Sequence, residues 1–365
     1  MRKNKRGFDM KVGVINGIRN HPDRPYSLQQ VYADFIDDAV YAEKLGFDFA
    51  WYGEHHFTRC QWTPSPLVVC AAVAAKTQRL RIGTSLVCLP FHNPLRVAED
   101  VAVVDIISGG RFDFGIGVGS NWEEYHTFGI PSAERSGRTW EAAEIIERCF
   151  THQGTFSHKG KYYEFADIAF TTKPVQNKVP FWWGGWGPKN VVRAAERGYH
   201  LLSGGSQAYD EALRQAGRNP QDFFIAPMQQ VCVAETEEKA WEASLDGLHY
   251  SINFYILRKR LDGSIPPPSA EITREMLRSG DLVRKRQVTT PDQLREPEAP
   301  AQLIDDTTPH VGTPDQLRER FKAIRAGSIG RVTHLPLGFR HAGMKTSDVH
   351  RSMELFAKEV LPLLK

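Results

Sequence analysis

The stretch Phe47–Thr58 reads Phe-Asp-Phe-Ala-Trp-Tyr-Gly-Glu-His-His-Phe-Thr, and the strand it predicts decides how the rest of the chain is interpreted. Its apolar run, Phe49–Tyr52, follows the helix-ending pair Leu45-Gly46 and has the length of a buried strand. The run stops at Gly53, and an acid and two imidazoles, Glu54–His56, follow at once. Polar titratable groups at the carboxyl end of a strand are typical of active sites in α/β barrels and open α/β sheets. The alternative is a pair of histidines with only a structural role in a loop.

Strand–loop–helix units repeat on both sides of this stretch, and apolar residues at helical spacing predict helices between the strands. Eight such units predict an α/β fold, a (β/α)8 TIM barrel, as a single domain spanning residues 1–365. The alternative is an open doubly wound sheet, which would need a chain reversal that the pattern does not locate. A β-hairpin turning at Lys159-Gly160 is also predicted. The eight predicted strands are Val12–Ile15, Phe49–Tyr52, Leu80–Leu89, Phe112–Ile116, Val179–Trp183, His200–Leu202, Phe223–Val233 and Val332–Leu337.

The repeat is interrupted between the seventh and eighth strands, over residues 247–309. This part carries Pro266–Pro268, Pro297–Pro300 and several charge clusters. We expect an inserted, partly mobile segment whose ends emerge at the mouth of the barrel. Aromatic residues such as Tyr250 and Phe254 could cover an apolar pocket there, so we expect the segment to act as a lid. The alternative is a surface excursion that pads a dimer contact.

The overall composition is that of an ordinary globular protein. The chain has 365 residues, of which 24% are charged, and its net charge of +3 predicts neither a nucleic-acid partner nor a membrane-surface partner. The basic residues near the start are followed by no apolar segment of the signal-peptide kind, and the apolar runs are too short for a transmembrane helix. The five scattered cysteines, never spaced as Cys-x-x-Cys, indicate reduced thiols in a cytoplasmic protein.

Two glycine-rich stretches follow predicted strands. Gly115-x-Gly117-x-Gly119 lacks the spacing of a dinucleotide-binding loop, so we expect these glycines to let the backbone approach a flat ligand. The run Gly184–Pro188 precedes a helix, and its free N–H groups would suit a phosphate. The alternative for this second run is a flexible turn.

Other polar residues near the predicted strand ends are candidates for ligand binding. Arg135 and Arg138 follow the fourth strand, and one of them could contact a ligand phosphate, although surface ion pairs with Glu134 and Glu141 are an equal alternative. The adjacent histidines of the opening stretch are not part of a His-Glu-x-x-His motif and would point in different directions, so we predict no metal site.

At this point the ordered motifs resemble those of bacterial luciferase-like flavin monooxygenases, over about residues 10–203 and again over 312–363. Each motif alone is weak, and their order is what is specific. The motifs are Glu54-His55-His56-Phe57-Thr58, then Leu80–Thr84 running into Leu89-Pro90, then Asn93-Pro94 through Ala98–Asp100 to Asp105, then Ser108–Phe112 with Gly115, and finally Phe128-Gly129.

The resemblance implies a barrel that binds reduced FMN at its C-terminal mouth, forms a homodimer and receives its flavin from a separate flavin reductase. The reduced flavin would react with O2 to give a flavin hydroperoxide that oxidises a small organic substrate. His55 takes the place of the family's catalytic histidine. The cofactor-binding residues implied or assigned on this basis are Ser85 and Leu86, at the family's cis peptide, Asn121 in the loop after strand four, Arg135 near the phosphate, and Gly185, Trp186 and Gly187 in the phosphate-binding turn.

Two positions depart from luciferase itself. Val118 stands where luciferase has an arginine, and Gly117 stands where it has a reactive cysteine. We therefore do not expect light emission with a long-chain aldehyde.

The residues themselves fit such chemistry. An imidazole such as that of His55 can donate a hydrogen bond or accept a proton near neutral pH, and a reactive oxygen species on a cofactor must be shielded from water. The apolar and aromatic residues that could wall the site are Phe8, Trp51, Phe57, Trp62, Trp182 and Trp186.

Three classes of function therefore remain open. The first is a two-component FMN-dependent monooxygenase. The second is an oxidoreductase that uses the deazaflavin F420, transfers hydride and needs no O2. The third is a barrel that binds flavin without catalysis.

Overall fold

A computed structural model describes residues 9–21, 23, 25–185, 187–204, 206–256, 271–279 and 309–365. The predictions made for Phe8 and Trp186 lie outside these residues. So does most of the predicted insertion, namely residues 257–270 and 280–308.

Parallel strands form the centre of the molecule, with neighbours in the order β11-β10-β12-β1-β2-β3-β5-β8-β9, and β4 also pairs with β5. Strands β6 and β7 form a separate antiparallel hairpin, which confirms the predicted hairpin. The strands are β1 (Lys11–Asn16), β2 (Phe49–Tyr52), β3 (Arg81–Thr84), β4 (Val87–Cys88), β5 (Phe112–Gly117), β6 (Phe156–Lys159), β7 (Glu164–Ile168), β8 (Phe181–Gly184), β9 (His200–Leu201), β10 (Gln229–Val233), β11 (His310–Gly312) and β12 (His334–Gly338).

The segment just before β10 lies between β9 and β12 and bonds to both. The N–H of Leu201 in β9 donates to the carbonyl of Phe224 at 3.0 Å, and the N–H of Ala226 donates back to Leu201 at 2.8 Å. On its other side, the N–H of His334 in β12 donates to the carbonyl of Ile225 at 3.1 Å. The predicted TIM-barrel fold is thereby confirmed, and eight parallel strand positions follow one another around it.

Helices connect the strands and cover the sheet. Their starts follow ordinary capping chemistry: the Ser27 hydroxyl accepts the N–H of Gln30 at 3.2 Å, and Thr313 forms a capping box with Gln316. The helices are α1 (Leu28–Leu45), α2 (Pro66–Lys76), α3 (Pro94–Ser108), α4 (Trp122–Thr127), α5 (Arg135–Thr151), α6 (Pro188–Arg197), α7 (Ser206–Gln215), α8 (Glu237–Ile256), α9 (Arg274–Ser279), α10 (Pro314–Arg325) and α11 (Thr346–Glu359).

Three elements differ from the sequence-based expectation. The predicted strand Leu80–Leu89 is interrupted at Ser85-Leu86 and continues as β4. Only the last five residues of the predicted strand Phe223–Val233 form a regular strand, β10. Strand β11 was not predicted, because its three residues are too few for a period-2 pattern to be visible.

The barrel interior is filled by aromatic and imidazole rings below its mouth. The ring centroids of Trp51 and Trp182 lie 4.9 Å apart, and His334 lies 5.0 Å from Trp182. Phe49 and His200 continue the same stack. Because this packing closes the interior, a ligand must bind above it, at the carboxyl ends of the strands.

Within the described ranges, no helix combines the length and the apolar character that a membrane crossing requires.

Candidate active site at the barrel mouth

Glycines stand at the carboxyl ends of several barrel strands. Gly17 follows β1, Gly53 follows β2, and β5, β8 and β12 end at Gly117, Gly184 and Gly338. A Cβ on Gly117 would lie 2.7 Å from Cδ2 of Leu86, and a Cβ on Gly184 would overlap the same side chain. The absence of side chains therefore lets Leu86 lie across the strand ends, which leaves a low floor at the mouth.

The peptide bond between Ser85 and Leu86 is cis, as the family resemblance predicted. The N–H of Ser85 donates to the carbonyl of Tyr52 at 2.7 Å. The carbonyl oxygen of Ser85 lies so close to Gly53 that an added Cβ there would be 2.9 Å from it. These contacts hold the Ser85-Leu86 peptide next to the strand end that carries His55.

His55 is buried and paired with a carboxylate. Its Nδ1 lies 2.8 Å from Oε1 of Glu124, and the same oxygen accepts the backbone N–H of His56 at 2.8 Å. An ionised carboxylate only accepts hydrogen bonds, so Nδ1 of His55 carries the hydrogen in this pair. The Nε2 atom is then the nitrogen with which neutral His55 can accept a proton.

Glu124 reaches His55 because of how helix α4 begins. The side chain of Asn121 accepts the N–H of Glu123 at 3.3 Å and so caps the helix. The carboxylate of Glu124, in the first turn, is fully buried. The structure therefore places Asn121, which we assigned to cofactor binding, at the start of the helix that positions the partner of His55.

Aromatic rings surround His55 on the side away from Glu124. The ring of Trp62 stands edge-on to His55 with centroids 4.6 Å apart. Phe254 of α8 lies 5.5 Å from His55 and 5.6 Å from Trp62. Trp62 is thus a wall of the site as expected, whereas Phe57 has 62% of its surface exposed.

A second hydrogen-bond network lies behind His55. Oε1 of Glu54 lies 2.7 Å from Nε2 of His56 and 2.8 Å from Nε2 of His92, and Oε2 accepts the N–H of Cys88 at 3.2 Å. Burial acts to raise the pKa of the Glu54 carboxyl, but the hydrogen bonds from His56 and His92 outweigh it and lower this pKa. Burial likewise acts to lower the pKa of His92, and its hydrogen bond to Glu54 outweighs that and raises it.

Glu54, His56 and His92 also form the one group of three possible metal ligands found in the described part of the chain, with ligand atoms within 4.8 Å of one another. The Nε2 atoms of His56 and His92 both lie at hydrogen-bond distance from Oε1 of Glu54. The other carboxylate oxygen of Glu54 accepts a backbone N–H. We interpret the group as the hydrogen-bond network that fixes the loop after β2 against β4.

The residues predicted to bind a phosphate lie at the start of α6 and at the start of α5. Gly187 is the N-cap of α6 with φ of 106°, and no side chain caps this helix. The hydroxyl of Ser136 donates to Oδ1 of Asn190 in the first turn of α6 at 2.9 Å. Arg135, the residue before Ser136, begins α5, and its Nη1 donates to the carbonyl of Ser132 at 3.1 Å. Gly185 is half-buried in the turn before α6.

Several residues of the site were missed by sequence reasoning. The stretch after the fourth strand contains Glu124, but nothing in it indicates a contact with His55, 69 positions away. His92 is likewise 38 positions from its partner Glu54. The glycines at the strand ends gave a usable signal, since four of the five follow a predicted strand directly and Gly17 follows one after a single residue.

Comparison with known families gives a match over residues 10–330 to the family described as luciferase-like monooxygenase. The 4-hydroxyprotoasukamycin monooxygenase of Streptomyces nodosus subsp. asukaensis is 33% identical, over 90% of this chain and 85% of its own. The oxygenase component of the flavin-dependent trigonelline monooxygenase of Acinetobacter baylyi is 30% identical, over 92% of this chain and 90% of its own.

Solved structures share the fold over almost the whole chain. The oxygenating constituent of 3,6-diketocamphane monooxygenase from Pseudomonas putida, in complex with FMN, has a TM-score of 0.74 and 23% identity, covering 97% of this chain and 98% of its own. The coenzyme F420 dependent tetrahydromethanopterin reductase of Methanopyrus kandleri has a TM-score of 0.68 and 19% identity, covering 98% and 100%. At these identities the likeness shows the fold alone.

Proposed function

The chain belongs to the luciferase-like monooxygenase family, and from this premise we propose that it oxidises a small organic substrate with reduced FMN and O2. The observation that carries the proposal is the buried His55–Glu124 pair, 2.8 Å apart, next to a floor of glycines at the barrel mouth. A proton-transferring group beside a flat, aromatic-walled site is what oxygen transfer from a flavin requires.

The protein's own part in this reaction is to position, shield and move a proton. Reduced FMN, when bound, supplies the activation of O2. His55 then donates or accepts a proton at Nε2, while Glu124 holds Nδ1 and stabilises the charge that forms on the imidazole. Trp62 and Phe254 keep water from the reacting atoms.

The arrangement of the rim fits FMN. The flat ring system would lie on the floor formed by Leu86 and the strand-end glycines, with the Ser85-Leu86 peptide at its edge. The phosphate would lie at the N-terminus of α6, beside Gly185 and Gly187, with Arg135 at the start of α5 as the proposed cation. The side chain of Asn121, which caps α4, would support the part of the rim on which the flavin binds.

The second candidate is an F420-dependent oxidoreductase, because an enzyme that uses F420 shares this fold. Its reaction would transfer hydride and would not need O2. The two monooxygenases named above are each at least 30% identical over most of the chain, which favours FMN. A 5,10-methylenetetrahydromethanopterin reductase also matches over 96% of the chain, at a lower identity of 26%.

Binding measurements under anaerobic conditions test the cofactor. On the proposed assignment, reduced FMN should bind at least about tenfold more tightly than reduced F420. Arg135→Gln should weaken FMN binding about tenfold and leave riboflavin binding unchanged. The control is Arg138→Gln, whose guanidinium is held by Glu134 at 2.8 Å. Tighter binding of reduced F420 would contradict the proposal.

The same proposal includes two protein partners. A separate flavin reductase would supply the cofactor, in keeping with a relative that is named as an oxygenase component. A second copy of the chain would cover the apolar face of α2 and α3, where Val68 is 70% exposed and Val103, Ile106 and Ile107 are each 45% exposed.

A further inference from the structure

We propose that Arg19 binds an anionic oxygen group, a carboxylate, on the substrate, and that the substrate is therefore an aromatic or apolar organic acid. The inference rests on the proposed function, because it concerns the substrate of that same site. The inference goes beyond the proposed function by naming a substrate class and a specificity-determining residue.

Arg19 is a buried cation, and two of its three guanidinium nitrogens lack hydrogen-bond partners. The residue is 8% exposed, and its Nε and Nη1 atoms are buried without any hydrogen-bond acceptor. Its guanidinium lies over the ring of Trp62, with Cζ 4.4 Å from the ring centroid. Trp62 is the same ring that stands against His55 at 4.6 Å. The unpaired cation is therefore separated from the proposed catalytic imidazole by one indole.

The backbone holds Arg19 in this position. The N–H of Thr63 donates to the carbonyl of Ile18 at 2.9 Å, and the N–H of Asn20 donates to the carbonyl of Cys60 at 2.7 Å. Arg19 is thus anchored on both sides to the segment that carries Trp62. A Cβ on Gly17, two residues earlier, would overlap that indole, so both positions face the barrel mouth.

Burying a guanidinium without hydrogen-bond acceptors destabilises the folded protein. Another buried arginine of this chain shows the usual solution, which is a carboxylate partner. Arg340, whose side chain is 7% exposed, is paired with Asp38 at 2.5 Å. Desolvating a charged donor without an acceptor destabilises a protein by more than leaving a neutral one unpaired. Arg19 has no such carboxylate among the described residues, so a bound anion is the group that would supply the missing acceptors.

The other titratable groups that face Arg19 do not provide a negative charge. His341 is held neutral, since burial and then the charge of Arg19 lower its pKa to about 3. Burial raises the pKa of the Tyr250 hydroxyl, and this effect outweighs the charges of Arg19 and Arg59, which act to lower that pKa. The site is thus cationic, and it is built from β1, the loop after β2, α8 and the segment after β12.

The position of Arg19 separates it from the proposed flavin phosphate. In the order of strands around the barrel, β8 is four places from β1, which is the greatest separation that eight strands allow. The phosphate would lie beyond β8 and Arg19 lies beyond β1, so the flavin ring would extend between them. An anion at Arg19 would then belong to the substrate, whose apolar body would contact Trp62, His55 and Phe254.

Calorimetric titration with acid and amide pairs tests the proposal on the full chain. The probes are benzoate with benzamide, nicotinate with nicotinamide, and cyclohexanecarboxylate with its amide. We expect at least one acid to bind about tenfold more tightly than its amide, the order of a charge-assisted bidentate contact. Arg19→Gln should abolish this preference, and Arg19→Lys should retain part of it. The matched control is Arg148→Gln, whose guanidinium also lies 4.4 Å from an aromatic ring, that of Phe156, but outside the site.

Three results would overturn the proposal: no acid preferred over its amide in the wild type, a preference that survives Arg19→Gln, or an Arg19→Gln variant that binds FMN more weakly but riboflavin as before. The last would assign Arg19 to the cofactor phosphate. Circular dichroism and riboflavin affinity check that each variant is folded. Since the titration requires no reaction with O2, a protein that binds acids through Arg19 but binds reduced F420 more tightly than reduced FMN would contradict the proposed function and leave this inference standing.

Discussion

At the scale of single residues, the direction of one hydrogen bond decides what His55 can do. Glu124 accepts from both the Nδ1 of His55 and the backbone of His56. In the proposed reaction the imidazole would therefore meet the reacting atoms through Nε2 alone. Glu124 would be a positioning residue, since it would act on the reaction only through His55.

Substitutions at this pair should reduce turnover in a graded order. His55→Ala removes the proton-transferring group and should lower the single-turnover rate by roughly 10²–10⁴. Glu124→Gln keeps an oxygen that can accept from Nδ1 but removes the negative charge, so we expect a smaller loss of about tenfold. His56→Ala should reduce the rate less than His55→Ala does, because its imidazole bonds Glu54. The measurement is product formed per enzyme with any substrate that the wild type oxidises.

Reduced-flavin affinity is the control for these variants and should stay near the wild-type value. If His55→Ala bound flavin normally and turned over at the wild-type rate, the assigned role of His55 would be wrong.

Residue-scale prediction from sequence reached His55 through its position after a strand and through the family resemblance. It could not reach Arg19 or Glu124. Whether an arginine is buried without an acceptor depends on what folds around it, and Arg19 gains its surroundings only when the loop carrying Trp62 packs against it.

At the scale of elements, two barrel strands carry buried histidines on their inner faces. His200 in β9 and His334 in β12 lie in the aromatic stack below the mouth. Burial lowers the pKa of each to about 3, and the charge of His200 acts further on His334. Both are therefore neutral in the folded protein down to strongly acidic pH.

These strands should make the protein sensitive to acid. An unfolded histidine has a pKa near 6.5 and takes up a proton between pH 6.5 and 3, whereas the folded one does not, so stability falls as the pH is lowered through that range. Each such histidine contributes a slope of up to about 1.4 kcal/mol per pH unit. The variant His334→Phe should reduce the slope of the unfolding free energy by about that amount between pH 6 and 5, as measured by urea unfolding.

The control for this slope is His126→Phe, which changes an exposed histidine. Equal slopes in the wild type and in His334→Phe would mean that His334 is not held neutral by burial.

Elements with local signals were predictable from sequence, and those defined by distant partners were not. Helix α1 has its cap at Ser27 and its end at Gly46, with φ of 87°, both readable from residue type. Residues 223–228 looked like the start of a strand, but there the chain is held by single hydrogen bonds to separate partners, among them Leu201, Arg331 and Thr333. Those partners come from elsewhere in the fold and leave no trace in the local sequence.

At the scale of the whole molecule, the barrel positions its active site by placing all strand ends on one rim. Parallel strands joined by helices bring His55 after β2, Ser85 after β3 and Gly185 after β8 to the same edge, although they are far apart in sequence. The repeated strand–loop–helix units of the sequence predicted that these residues lie at the same edge. They did not predict how the interior is filled, because the ring stack depends on inward-facing residues from opposite strands.

The choice between oxygen transfer and hydride transfer also belongs to this scale, since both chemistries occur on the same fold. The central claim is that this barrel binds reduced FMN and lets it react with O2 in a shielded site. Its most direct test is a stopped-flow experiment in which the protein, loaded anaerobically with reduced FMN, is mixed with buffer containing O2. The account predicts a transient absorbance that differs from both reduced and oxidised flavin and outlives the reaction of free reduced FMN. Oxidation of the bound flavin at the rate of free flavin, with no such transient, would contradict it.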